Sequence, residues 1–343
     1  MSRTVITVLG ECSPDDLGIV LPHEHLVFDM TCLANPEPSE IYDRERRKQL
    51  VTLGNRGHVI YHPFDYNDNL VQTDLSIATE EAMRFKLAGG GTICDLTVNA
   101  IGRDPSALYN IALVTGLNII MGCSYYVVKS LSQEEKKLSE EEVKNKIIHE
   151  FKNGVGYNRI KPGIIGEVGI SDISNEIELK NLRASGKAQK IIGCAINIHT
   201  PAWEKDGNRI LDILESVGTK IDKVVLSHLD PTMNDFDYAD SLAKRGAYIE
   251  YDQFGMHFMS NKGFFMPDDG SRIIAIKEQI RRGNIERILI SQDVFLKILL
   301  TKWGGHGYAH ILENIVPRLI QEGLTEEQIS AILVENPKRL FSW

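Results

Sequence analysis

Short apolar runs alternate with longer amphipathic stretches along most of the chain. The run Ile19-Val20-Leu21 leads into Pro22-His23-Glu24-His25, and seven more follow: 92–98, 118–123, 163–168, 195–199, 224–228, 247–252 and 287–293. Runs of this length, rich in Ile and Val, read as strands buried on both faces. Between them the apolar residues recur with helical spacing. Over 73–87, Leu75, Ala78, Ala82 and Phe85 share one stripe, and Gly89-Gly90-Gly91 marks the stop. Further helices are predicted over 105–115, 140–151, 175–186, 208–217, 238–245, 271–282, 309–321 and 325–334.

Eight strands, each followed by a helix, predict an α/β fold of the (β/α)8 TIM-barrel type. An open doubly wound sheet fits less well, since no G-x-G-x-x-G turn follows the first strand. Residues 1–14 read as a hairpin or lid before the barrel. Residues 29–72, with Pro36, Pro38 and Pro63, are irregular and long enough to suggest a functional loop, as is 253–270. Nothing in the chain reads as a linker, so the expectation is one domain, 1–343.

The polar residues that close these runs carry the chemistry. Strand side chains alternate in direction, so His23 and His25 share a face. Glu167 ends the fourth strand, His199 the fifth, His228 the sixth and Asp293 the eighth. In a barrel all these ends converge on one face, where active sites sit. Imidazole and carboxylate together suit zinc, manganese or iron, and this set is large enough for two ions. Each residue alone has a plainer reading: His199 and His228 as hydrogen-bonded core histidines, Glu167 or Asp293 as a helix cap. Jointly, polar residues at five strand ends that would otherwise stay dry favour the metal reading.

Composition narrows the setting. The chain has 343 residues, 43% hydrophobic and 25% charged, with a net charge of −9, which argues against a nucleic-acid partner. Cys12, Cys32, Cys94, Cys123 and Cys194 form no C-x-x-C pair, which fits reduced thiols. The polar beginning and the lack of a long apolar run lead to the expectation of a cytoplasmic protein with no membrane partner. Its partner is then a small-molecule substrate, and a homodimer is compatible with the reading.

The segments His23-Glu24-His25, Gly163-Ile164-Ile165-Gly166-Glu167-Val168-Gly169, Ser227-His228-Leu229-Asp230, Gly304-Gly305-His306-Gly307-Tyr308-Ala309-His310-Ile311 and Glu335-Asn336-Pro337-Lys338-Arg339-Leu340-Phe341 resemble the phosphotriesterase family of the amidohydrolase superfamily. The resemblance is strongest to its phosphotriesterase-related branch and covers nearly the whole chain. It implies a binuclear hydrolase, with His23, His25 and Asp293 on the more buried ion and His199 and His228 on the more exposed one. A bridging residue from the fourth strand would touch both. The ions implied are divalent, zinc first, with manganese, cobalt or iron as substitutes.

Two positions depart from the phosphotriesterases proper. They use a carboxylated lysine as the bridge, where this chain has Glu167, as the homology-protein and related branches do. Lys161 lies six residues away, ~20 Å along a strand, and cannot substitute. Their proton relay uses a histidine after strand seven and an aspartate past the strand-six histidine; here those positions hold Gln253 and Pro231. Asp230 and His257 are the candidates left for a relay.

The chemistry expected is attack by a metal-bridging hydroxide on a small carboxylic ester, lactone or N-acyl amide, with Asp293 as ligand and base. Tyr126 is the candidate oxyanion donor, or else a core or rim tyrosine. Gln253, His257, His306 and Tyr308 are the candidate substrate contacts; for His306, Tyr308 and His310 a barrel-capping role is the alternative. Phosphotriester hydrolysis, and a non-catalytic ligand-binding protein that keeps the cage, are the rival readings.

Overall fold

The structure, a computed structural model, describes residues 4–37, 39–258 and 265–343. The first three residues of the expected 1–14 hairpin, Pro38, and residues 259–264 of the 253–270 loop lie outside the described residues. The hairpin consists of β1 (Val5–Thr7) and β2 (Gly10–Cys12), paired antiparallel. The Val8 amide donates to the Ile119 carbonyl, and Thr4 and Trp343 exchange backbone hydrogen bonds. The hairpin therefore packs at the amino-terminal ends of the barrel strands, the end away from the candidate ligands.

The barrel strands are β3 (Ile19–Glu24), β6 (Gly90–Asp95), β7 (Asn118–Cys123), β8 (Ile164–Gly169), β9 (Ala195–His199), β10 (Val224–Ser227), β11 (Tyr248–Tyr251) and β12 (Ile288–Ile290). They form one parallel sheet in that order. Its edges β12 and β3 meet through side chains: Ser291 Oγ accepts from the His23 amide and donates to Glu24, whose carboxylate also accepts from the Gln292 and Val294 amides. Glu24 thus closes the seam of the barrel. Burial pushes its carboxyl up to about 8 even against those hydrogen bonds.

The loop 29–72 is less irregular than the sequence suggested. It holds the two-stranded ribbon of β4 (Phe28–Asp29) and β5 (Val71–Gln72) and two short helices, Ile41–Arg47 and Arg56–Tyr61.

Val20, Cys94, Ile120, Ile164, Ala195, Val225, Tyr248 and Leu289, one from each barrel strand, form an apolar plug with Leu17, Leu340 and Phe341. Two residues along, the period of a strand brings Asn197, Ser227, Glu250 and Ser291 into the interior, all buried. Two residues further lie His199, Asp252 and Asp293. The interior therefore changes from dry to polar along the barrel axis.

The helices start where the sequence supplies a cap: Asp74, Asp104, Ser139 and Asn175 each accept backbone N–H groups of a first turn. The helix expected to stop at residue 186 runs over Glu176–Ile192 and ends at Gly193, at φ 91°. Gly186 is a packing residue instead: a Cβ there would come within 2.4 Å of Thr219 Oγ1. The last helices contain wide π turns, Ile311–Ile315 and Ala331–Glu335, each just ahead of a proline, Pro317 or Pro337, that removes a helical N–H donor. Among the described residues no helix is long and apolar enough to cross a membrane.

Candidate metal centre

The six residues expected as ligands come together at the carboxyl ends of the strands. Two ladder irregularities help to aim them. The β3/β6 register shifts between Leu21 and Glu24, at His23, and the β8/β9 register shifts between Ile165 and Val168, at Glu167; such breaks redirect side chains near functional sites. His228 and Asp293 follow β10 and β12 with φ of 60° and 49°, a strained region for side chains of this kind. The strain is held by hydrogen bonds from the His228 amide to Asp252 and from the Asp293 amide to the His23 carbonyl.

Glu167 Oε1 lies 2.7 Å from His199 Nδ1, 2.9 Å from His228 Nε2 and 3.6 Å from His23 Nε2. Asp293 Oδ1 lies 3.2 Å from His25 Nε2 and 3.7 Å from His23 Nε2. Two ligand groups follow, His23 with His25 and Asp293, and Glu167 with His199 and His228. Glu167 touches both, since its Oε1 also faces His23.

Behind these rings stand residues whose role the sequence reading missed. Asp252 Oδ1 is 3.0 Å from His228 Nδ1 and Oδ2 is 3.1 Å from His23 Nδ1. Glu250 Oε2 is 3.3 Å from His23 Nδ1 and accepts from Ser227 Oγ at 2.7 Å and Asn197 Nδ2 at 3.0 Å. Thr97 Oγ1 is 3.0 Å from His25 Nδ1. Fixing one imidazole nitrogen in this way leaves the other free to bind a cation. The signal was present: Glu250 and Asp252 sit two apart in an apolar strand, so one period places both inside. His23, Asp252 and His228 also lie close enough to form a third group.

The electrostatics test whether cations fit. Glu167, Glu250, Asp252 and Asp293 are 4% exposed or less, and among the described residues none has a lysine or arginine partner. Burial favours the neutral form of Glu167, but His199, His228 and His23 outweigh it and hold the carboxyl well below its usual range. Burial likewise disfavours charge on His23, yet Asp293, Asp252, Glu250 and Glu167 raise its pKa well above the usual value. His228 is raised well above it too, against burial, by Asp252, Glu167 and Asp293. The cluster thus attracts positive charge strongly. His23 Nε2, fully buried and facing both Glu167 and Asp293, has no hydrogen-bond partner among the described residues, as a ligand nitrogen should. The donor set fits divalent cations.

The centre opens onto a cavity of about 300 Å³, lined by His25, Glu167, His199, His228 and Asp293 at its base and by Met30, Leu33, Phe64, Val127 and Phe295 along its walls. Tyr126 and Gln253 also line it. Tyr126 Oη is 3.4 Å from His199 Nδ1; burial and then the Glu167 carboxylate push the phenol well up, so it stays a donor. Gln253 Oε1 is buried and has no hydrogen-bond partner among the described residues.

The other expected substrate contacts stand elsewhere. Tyr308 is buried and donates to the His25 carbonyl at 2.7 Å, holding the ligand strand from behind. His306 stacks on His310 at 4.0 Å between ring centroids, and His310 Nε2 is 2.8 Å from Asp269 Oδ2. His257 is about half exposed and packs edge-on to His306. None of the three expected contacts His257, His306 and Tyr308 is among the residues lining this cavity. Asp230 is committed to structure: its carboxylate accepts from Arg272 Nε at 2.6 Å and from the Asp252 and Gln253 amides. Lys161 lies in a groove with the β1–β2 hairpin at the opposite end of the barrel.

The sequence profile of the phosphotriesterase family matches residues 3–341. The N-acetyltaurine hydrolase of Xenopus tropicalis is 38% identical over 348 residues, covering 100% of this chain and 99% of that protein. A resiniferatoxin-binding protein from Rhodobacter sphaeroides superposes with a TM-score of 0.96 at 34% identity, over 99% of this chain and 95% of that one. A mutant phosphotriesterase-like lactonase from Deinococcus radiodurans gives 0.77 at 25% identity, over 98% and 99%. The chain is a hydrolase and belongs to the phosphotriesterase family.

Proposed function

We propose that this hydrolase cleaves the amide bond of a small acidic N-acyl compound, an N-acylated amino acid or amino sulfonate, at a centre holding two divalent cations, zinc first. The observation that carries the reading is the buried cluster itself: carboxylates and imidazoles with no lysine or arginine partner among the described residues, at the base of a cavity sized for a small molecule. The full-length similarity to N-acetyltaurine hydrolases supports the choice of an amide.

In this reading His23, His25 and Asp293 would hold one ion and His199 and His228 the other, with Glu167 the residue that would be shared between them. Bound there, divalent cations would lower the pKa of water towards neutrality and polarise the scissile carbonyl. The protein groups do the rest. Asp293 takes the proton from the attacking water and returns it to the leaving amine. Tyr126, kept protonated by its burial, donates to the developing oxyanion. Gln253 Oε1, unpartnered in the wall, accepts the substrate amide N–H, a contact an ester or lactone cannot make. Asp252, Glu250 and Thr97 hold the imidazoles in their ligating tautomers. The same reading places the chain, as one catalytic unit, in the cytoplasm, where its five unpaired cysteines stay reduced.

One observation favours a rival: the solved structure with a TM-score of 0.96 is named for binding resiniferatoxin. Turnover separates the two. Purified protein should contain about two divalent ions per chain, and hydrolyse N-acetylated amino acids or amino sulfonates faster than lactones or aryl phosphotriesters. Chelation should abolish the activity. One ion or none after reconstitution would refute the binuclear centre, and binding of amides without cleavage would refute the enzyme reading.

A further inference from the structure

Lys129 lies on the turn Val128–Ser130 just past β7 and lines the same cavity as Glu167 and Asp293. Of the described residues that line it, Lys129 is the one lysine, and none is an arginine. Its ammonium donates to the Ala34 carbonyl at 3.1 Å, and among the described residues it has no carboxylate partner. Lys297, two residues from the lining residue Phe295, differs: its charge is taken by Asp68 at 2.6 Å. Met30, Leu33 and Val127 give the same cavity apolar walls. A ligand with its acyl carbon over Glu167 and Asp293 therefore shares the cavity with two polar features that have no side-chain partner among the described residues, the Gln253 carbonyl and the Lys129 ammonium.

We propose that Lys129 receives the anionic end of the substrate, a carboxylate or sulfonate, and so selects acidic N-acyl compounds over neutral ones of equal length. This rests on the amide reading above and adds to it a residue that sets specificity without touching the bond that breaks. The carbonyl of Ala34 holds the ammonium in place before substrate arrives. An exposed lysine on a short turn tolerates replacement, so the fold should survive.

The test compares wild type, Lys129→Met and Lys129→Arg on an N-acetylated amino acid or amino sulfonate and on the N-acetyl amino alcohol of the same length. Hydrogen bonds to charged groups typically carry an effect of roughly ten- to a hundredfold. Lys129→Met should lose about that much kcat/KM on the acidic amide, mostly through KM, and clearly less on the neutral amide. Lys129→Arg should recover most of the loss. Equal losses on both amides, or none on either, would overturn the assignment.

A second probe separates this inference from the amide reading. A ketone isostere with CH2 in place of the amide NH cannot be hydrolysed, and calorimetry on the metal-reconstituted protein reads its binding as the carboxylate and as the alcohol. A carboxylate preference that disappears in Lys129→Met supports the assignment even if wild type cleaves neither amide. No carboxylate preference in wild type ends it, whatever the enzyme cleaves.

Discussion

Asp252 grips His228 at two points, accepting from the backbone amide at 3.1 Å and facing the ring Nδ1 at 3.0 Å. The oxygen that accepts from the amide, Oδ2, is also 3.1 Å from His23 Nδ1, so one carboxylate orients imidazoles from both ligand groups. Burial opposes its ionisation, but His228 and then His23 hold the carboxyl far below its usual range. Asp252→Asn keeps the shape and loses the charge. Removing an outer partner of this kind typically costs 10–100-fold in metal affinity or activity. We expect a loss of that order in competition with a chelator, with the thermal unfolding transition still cooperative. Unchanged affinity would show that Asp252 is not what orients the rings.

Glu167→Gln is expected to fold but to hold its metal poorly. The neutral amide cannot balance two cations, and it removes the charge that His23, His199 and His228 share. Metal content should fall below that of wild type, and activity should fall strongly with it. Glu167→Gln with wild-type metal content and rate would mean that Glu167 is not the bridge.

The strand ends were legible because a buried sheet leaves few places for polarity. His23, His25, His199, His228 and Asp293 all interrupt apolar runs, and the barrel topology brings those interruptions to one face. Asp252 and Glu250 carried the same signal but looked like the ordinary polar close of a strand; their partners lie on other strands, 23 or more residues away in sequence, so nothing local marked them. Gly186 misled the reading of its helix because a glycine that ends a helix and one that lets two helices touch look alike in one dimension. His257 and His306 sit on loops, where the path of the chain decides what a ring faces, and strand periodicity gives no direction there. Lys129 was hidden for the same reason.

The buried ion pair behind the site provides a stability prediction. Arg272 is fully buried between Asp230, at 2.6 Å, and Asp269, at 2.9 Å. Arg272→Met removes the cation and leaves the Asp230 carboxylate without compensation, which typically costs about 3–5 kcal/mol. Denaturant unfolding should show a loss of that size, partly restored in the double variant Arg272→Met, Asp230→Asn. A single-variant loss under about 1 kcal/mol would place the pair among weakly coupled surface bridges.

Asp293 is proposed as both ligand and base, and one substitution separates the two roles. Its carboxylate is buried at the base of the cavity, with Oδ1 facing His25 and His23. Asparagine keeps an oxygen on that side but has no basicity with which to take a proton from the attacking water. Asp293→Asn should therefore retain much of its metal while losing turnover. General-base removal typically costs on the order of 10²- to 10⁴-fold. The loss should appear in kcat and kcat/KM together, because the proton moves only in the transition state. A purely structural cage predicts a different pattern, with metal or ligand affinity altered and no turnover to lose. If Asp293→Asn stays loaded with metal and hydrolyses its best substrate at a near wild-type rate, another group carries the proton. Tyr126, which lines the cavity with its hydroxyl 3.4 Å from His199 Nδ1, would then be the first to replace.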